Sequence, residues 1–218
     1  MQAVPGFAAN VAPRVKTKPW LVVGKGPSFS KIASFDLRKY NSIALNHAVN
    51  KIDGVDYVHV ADLDVFDRIS DRLTNSSVTL VTPYFLHSNN KANSDLSTDA
   101  LVSSKDKPHH ELFRHLFKQN RLLTYRSSHL GHLCKRRDIG RTVYVRYFSS
   151  VAVVNLLASS GVKNITLLGI DGGTKYDKQF SDLTALTNGR KSFDVQFREI
   201  AISTRRHKLD LKRITCDD

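Results

Sequence analysis

An α/β fold, a parallel sheet with helices on both faces, is the class predicted by three observations. Five short β-rich apolar runs, WLVVG (20–24), SIALN (42–46), VDYVHVAD (55–62), SVTLVTP (77–83) and NITLLGID (164–171), each end in turn or polar residues. Strands buried on both faces of a parallel sheet read that way. Helical periods lie between and after them, and none of the 218 residues belongs to an internal repeat. Alternation of strand and helix implies a sandwich of the Rossmann type.

The elements follow in chain order. Residues 1–18 lack the basic start and long apolar core of a secretory signal and are expected to be a flexible lead-in to a single domain over 19–218. The first strand stops at Gly24-Lys25-Gly26, after which Pro27 and Ser28 suit the opening of a short helix. The second strand ends at Asn46, and the third at Asp62 and Asp64. Residues 88–107 are polar and without period, so a long surface loop is expected there. ELFRHLFKQN (111–120) puts Leu112, Phe113, Leu116 and Phe117 on one helical face. SSVAVVNLLASSG is an apolar helix with serines at its start and Gly161 to cap its end. SFDVQFREIAIS repeats the helical period with Phe193, Phe197, Ile200 and Ala201.

Composition narrows the function classes. No apolar run approaches the roughly 18 residues of a membrane span. Cys134 and Cys216 are far apart and without neighbouring ligand residues, which argues against a disulfide framework and a zinc site and fits a reducing cytoplasm. The net charge of +13 favours polyanions, anionic membrane surfaces or phosphorylated small molecules as partners. Its basic residues are spread over 135–141, 189–191 and 205–213 rather than along one helix with interleaved aromatics, so no specific nucleic-acid partner is expected.

The turn GKGPS is the first candidate site. Ligands of parallel α/β sheets bind beyond the carboxyl ends of the strands, and a helix opening there presents free N–H groups to an anion. A phosphate is the expected occupant. The stretch is neither a P-loop nor a GxGxxG fingerprint, because the longer glycine loop ending in Lys-Ser/Thr and the third glycine are missing. A plain strand-to-helix turn is the competing reading.

VVGKGPSF, then IALNHAV, then YFSSVAVVNLLASSGVKNITLLGID together resemble bacterial glycosyltransferase family 42, the sialyltransferases that use CMP-activated sialic acid. The same skeleton is similar to the 6-hydroxymethylpterin pyrophosphokinase-like family. The likeness runs in order from Trp20 to Asp171, with 88–141 unmatched. It implies a GT-A variant of the Rossmann-like fold, a CMP-sugar donor carrying sialic acid or a 2-keto sugar such as Kdo, a glycan acceptor, and no required cofactor. By the resemblance, Gly24, Lys25, Gly26, Pro27 and Ser28 wrap the nucleotide phosphate, and Asn46 bonds the nucleotide or donor sugar. Ser149 and Ser150 contact the nucleotide, while Asp171 and Gly172 close the pocket. Tyr144 and Tyr147 would stabilise the departing phosphate, with Arg146 beside them; packing of an extended segment is the other reading of these three. Lys25 stands where the sialyltransferases usually carry asparagine. The enzyme would work in the cytoplasm or peripherally at the inner membrane, in lipopolysaccharide or capsule biosynthesis.

Two features do not follow that pattern. The lid region after Asp171 contains no histidine, so the family's base does not carry over; His47, His59, His109, His110, His129 and His132 are candidates, each otherwise a packed or surface histidine, and Asp182 and Asp194 are equal ones. The pair Asp62 and Asp64 is a D-x-D that would ligate Mg²⁺ against a diphosphate in a diphosphotransferase of the pterin pyrophosphokinase-like kind; helix capping is its alternative. A basic module that binds nucleic acid is the third expectation, carried by net charge alone.

Overall fold

The computed structural model describes residues 3–11, 13, 17–89, 91–145, 148–183 and 191–216. Its strands are β1 (Trp20–Val23), β2 (Asn41–Leu45), β3 (Tyr57–His59), β4 (Thr79–Pro83), β5 (Phe85–Ser88), β6 (Lys91–Ser97), β7 (Leu122–Tyr125), β8 (Asn164–Leu168) and β9 (Asp210–Arg213). Its α-helices are α1 (Phe7–Val11), α2 (Ser70–Thr74), α3 (Thr98–Ser103), α4 (His110–Lys118), α5 (Ser149–Ser159) and α6 (Val195–His207), with short 3₁₀ helices at Pro27–Ser34, Asn46–Lys51 and Leu63–Arg68 among the connections. Seven strands form one sheet in the order β7-β4-β3-β2-β1-β8-β9, and every neighbouring pair is parallel. This is a Rossmann-like α/β architecture with helices on both faces.

Alternation along β1 shows how the sheet is sandwiched. Leu21 and Val23 enter a core with Phe29, Ala48, Phe66, Phe113 and Leu116, whereas Trp20 and Val22 enter one with Phe7, Val153, Leu157 and Ile200. Successive side chains of a strand point to opposite faces, so an unbroken apolar tetrapeptide needs cover on both. Each fully buried Val, Leu or Phe contributes about 1.5–3 kcal/mol relative to leaving it exposed.

The chain leaves β1 toward β2 on one side and returns through β8 on the other. That reversal opens a crevice between the carboxyl ends of β1 and β8, where the connecting backbones diverge.

Two expectations are corrected. The lead-in is not loose over its described part: Val4, Phe7 and Val11 are buried, and Phe7 sets its ring edge-on to Trp20 and Tyr57. The carbonyl of Pro5 accepts the Thr124 amide at 3.0 Å, covering the outer edge of β7. Within 88–107, the loop is instead strand β6, paired antiparallel with β5, followed by α3, which Ser97 caps through the Ala100 amide at 3.3 Å. Strands β7 and β9 carry no long apolar run; LLTY is four residues long, and DLKR is an exposed edge. Among the described residues, no helix is long and apolar enough to cross a membrane.

Candidate functional site

The turn after β1 is built against the turn after β8. A Cβ on Gly24 would sit 2.3 Å from the Gly169 carbonyl oxygen, and Gly169, at φ +66°, would press a Cβ to within 2.6 Å of the Gly24 oxygen. Only glycine permits this approach. The N–H groups are already engaged: Gly24 donates to Leu168 O and Gly26 to Gly169 O, both at 2.7 Å, and Phe29 donates to Gly26 O at 2.9 Å. Ser28 donates its amide to Asp171 Oδ2 at 2.9 Å, and its buried hydroxyl accepts the Gly169 amide at 2.8 Å. The expected phosphate cradle is therefore a correction. The carboxylate of Asp171 occupies the anion position at the start of the Pro27–Ser34 helix, and Pro27 and Ser28 serve as a structural latch.

A cavity of about 340 Å³ lies directly beside this latch. Gly24, Lys25, Gly26, Asn46, Ser149, Ser150, Asp171 and Gly172 line it, so the structure brings together eight of the ten residues expected to bind nucleotide. The N-terminus of α5 opens on it. The first turn of that helix holds Ser149 and Ser150 with no acidic residue, and among the described residues no side chain caps its leading amides. Asn46 adopts the left-handed region at φ 53°, a conformation that asparagine tolerates better than most residues. Its Nδ2 lies 3.5 Å from Ser149 Oγ, and its buried Oδ1 has no protein partner. Ser150 Oγ donates to Gln196 Oε1 of α6 at 2.5 Å, which fixes α5 against α6 at the cavity wall.

Lys25 adds the cation. Its Nζ stands 4.4 Å from the centre of the Tyr176 ring, which stacks on Phe193 at 5.4 Å; both rings line the cavity. Burial pulls the ammonium down to about 8, against the opposing pull of Asp62. Asp171 lines the same region from the turn after β8, its Oδ1 buried and without a hydrogen-bond partner among the described residues.

Histidines line the other end, above β3, β4 and β7. His59 is fully buried, with Nε2 2.9 Å from the Tyr125 hydroxyl and Nδ1 unpartnered. Burial holds this imidazole neutral, lowering it to about 4, and pushes the Tyr125 phenol upward. His87 Nδ1 lies 3.4 Å from Asp62 Oδ1, and the His87 and His129 rings are 5.3 Å apart. Burial first, and then the nearby His87, lower His129. A single parallel bridge makes the Asp62–His87 pairing: the His87 amide donates to Ala61 O at 2.7 Å, bringing β5 to the end of β3.

Several expected residues fall elsewhere. Tyr144 is 50% exposed and does not line the cavity, and Tyr147 and Arg146 lie outside the described residues. Asp64 is exposed while Asp62 faces the cavity and His87, so the D-x-D pair does not converge on one metal position. Nor does Asp62 cap the Leu63–Arg68 helix with its side chain. Asp182 pairs with Arg68 at 2.9 Å, and Asp194 accepts the Gly173 amide at 3.1 Å, so both lid aspartates have structural partners outside the cavity. His109 opens α4 beside Asp67, His110 bonds Leu101 O at 3.0 Å, His47 does not line the cavity, and His132 is exposed. Sequence reasoning missed the pairing of His87 with Asp62, because it read 88–107 as a loop and so had no strand to carry His87 inward. No protein-family model matches the sequence, and no curated protein is found similar to it.

Proposed function

We propose that the protein is a glycosyltransferase that takes sialic acid or a related 2-keto sugar from a CMP-activated donor and passes it to a glycan hydroxyl. The observation that carries the reading is the uncapped N-terminus of α5, which meets Lys25 and Asn46 in the crevice at the sheet's reversal. Free amides, a lysine and a helix dipole aimed at one spot hold a phosphate and stabilise the charge it gains as the sugar leaves. In this arrangement the nucleotide phosphate rests at Ser149 and Ser150, and the base lies along Tyr176 and Phe193. The leaving-group role expected of Tyr144 passes to the α5 amides, since Tyr144 does not line the cavity. The basic surface helps the enzyme meet an acidic acceptor or an anionic membrane.

Thermal denaturation against CMP, CDP, UDP, GDP and ATP, followed by CMP release from CMP-N-acetylneuraminate and CMP-Kdo, tests this. CMP at about 100 times its Kd should add about 2.7 kcal/mol of apparent stability, and CMP release should persist in EDTA. A chain that binds ATP alone and turns it over only with Mg²⁺ would overturn the proposal in favour of a diphosphotransferase.

A further inference from the structure

We infer that the histidine-lined end of the cavity is the acceptor subsite and that His87, held by Asp62, is the general base that removes the acceptor's proton. The inference rests on the glycosyltransferase reading and adds the half of the reaction for which the lid offers no histidine.

Four observations converge. The anion-binding features lie at the β1, β2 and α5 side of the cavity, through Lys25, Asn46 and Ser149, whereas His59, His87, His129 and Tyr125 come from β3, from β5 and from β7 with the turn after it. The cavity thus has two chemically distinct ends. His87 Nδ1 faces the Asp62 carboxylate at 3.4 Å, and its side chain keeps 14% exposure. No hydrogen bond from its Nε2 is formed among the described residues, so that nitrogen is free to accept a proton. A carboxylate facing one ring nitrogen orients the imidazole so that the other can act as a base. The Ala61–His87 backbone bond and the Asp62–His87 bridge fix the pair through the backbone, His87 on β5 and Asp62 in the turn after β3. Finally, His59 is wholly buried on this wall, is held on one side by Tyr125 and has its second nitrogen unpartnered. That buried hydrogen bond to Tyr125 fixes the wall against which His87 and His129 stand.

The step balances as a direct displacement. The acceptor hydroxyl gives its proton to His87 Nε2 as its oxygen forms a bond to the anomeric carbon. The bond between that carbon and the phosphate oxygen breaks, and its electron pair leaves on CMP at the α5 N-terminus. The His87 imidazolium then returns its proton to solvent. Asp62 is a positioning residue that acts through His87.

The test measures CMP release from CMP-N-acetylneuraminate with lactose present, which counts attack by lactose or by water, together with the Kd for CMP. His87→Ala should lower release about 10²–10⁴-fold while leaving the Kd for CMP unchanged, and added imidazole should restore part of the rate. Asp62→Asn should lower kcat with the donor KM unchanged. His87→Gln, closer in shape, serves if the alanine variant does not fold. Release within about threefold of wild type, loss of CMP affinity in step with the rate, or failure of imidazole to rescue overturns the assignment. So does a wild-type protein that binds CMP without releasing it from the donor. A wild-type protein that does not bind CMP removes the glycosyltransferase reading itself, and this inference with it.

Discussion

Asp171 and Lys25 carry opposite charges on the phosphate side of the proposed site. The carboxylate sits on the Ser28 amide at 2.9 Å, so a negative group of the chain's own already fills the position that the Gly-Lys-Gly-Pro-Ser turn offers. A second anion there would meet both the carboxylate and an amide already engaged. Lys25 and Lys175 both line the cavity as cations open to a ligand, and burial has lowered Lys25 to about 8. Below that pH it is charged and attracts phosphate; above it the attraction fades. An anion bound beside the ammonium raises its pKa, so binding takes up a proton near pH 8. The affinity for CMP should therefore fall as pH rises from 7 to 9, and Lys25→Met should flatten that fall while weakening binding at pH 7. Calorimetry in buffers of different ionisation enthalpy counts the proton directly; equal slopes for the two proteins would exclude Lys25 from the phosphate site. At this scale the sequence was legible by position and misleading by role. Glycines at 24 and 26 do mark a close approach, but the approaching group is the backbone of Gly169, and a turn that hugs a neighbouring strand has the same residues as one that hugs a phosphate. Asp171 was legible as a wall of the pocket, yet no feature of one chain reveals that its carboxylate caps a helix 143 residues earlier.

Under the proposed function, the N-terminal end of helix α5 carries the phosphate. Its apolar length is buried, with Val151, Val153, Val154, Leu156 and Leu157 nearly inaccessible, so packing rather than capping holds it in place. The uncapped first turn can then remain open to a ligand, at the cost of stability that a cap would add. Ser149→Asp should expose this trade. A carboxylate at the first helical position interacts favourably with the dipole by about 0.3–1 kcal/mol, which for a domain of this size raises Tm by roughly 1–3 °C. The same carboxylate repels the phosphate, so CMP affinity should drop by at least about tenfold, or 1.4 kcal/mol. Stability and affinity moving in opposite directions is the expected result; a variant that gains stability and still binds CMP as the wild type does would move the phosphate away from this helix. Elements with a strong period were legible: α4, α5 and α6 and the five apolar strands lie where their patterns fall. Strand β9 was not, because Asp210, Lys212 and Arg213 on an exposed edge carry no apolar signal and the strand exists by pairing with β8. The β5–β6 hairpin was hidden for a related reason. Residues 91–95 contain no buried side chain, so alternation could not mark them, and with the hairpin went the position of His87.

Across the whole molecule, the burial of basic groups sets how the fold responds to acid. His59 and His47 are both lowered to about 4 from an ordinary 6.5, His59 by burial chiefly, and His47 by burial and then the charges of Lys25 and Arg68. In the folded chain both stay neutral over a range in which the unfolded chain takes up their protons. Stability therefore rises with pH between about 4 and 6.5, and it is progressively lost as the pH falls through that window. The His59 contribution, at full burial, is on the order of 2–3 kcal/mol at the acid end. Lys25 works in the same direction at higher pH, since its folded form is reluctant to carry a proton between about 8 and 10.5. A net charge of +13 at neutral pH, growing as carboxylates and histidines protonate, adds self-repulsion to the loss. Urea denaturation at pH 7, 6, 5 and 4.5 should show a continuous decline in stability beginning near pH 6.5, before the carboxylates titrate. His59→Gln, whose amide still reaches toward the Tyr125 hydroxyl, should remove a large part of the slope below pH 6 whatever it does to stability at pH 7. A variant with the wild-type slope would mean that His59 charges inside the fold, which in turn requires a partner or water at its open Nδ1. The slope thus reports on the wall of the proposed acceptor subsite without any substrate being present.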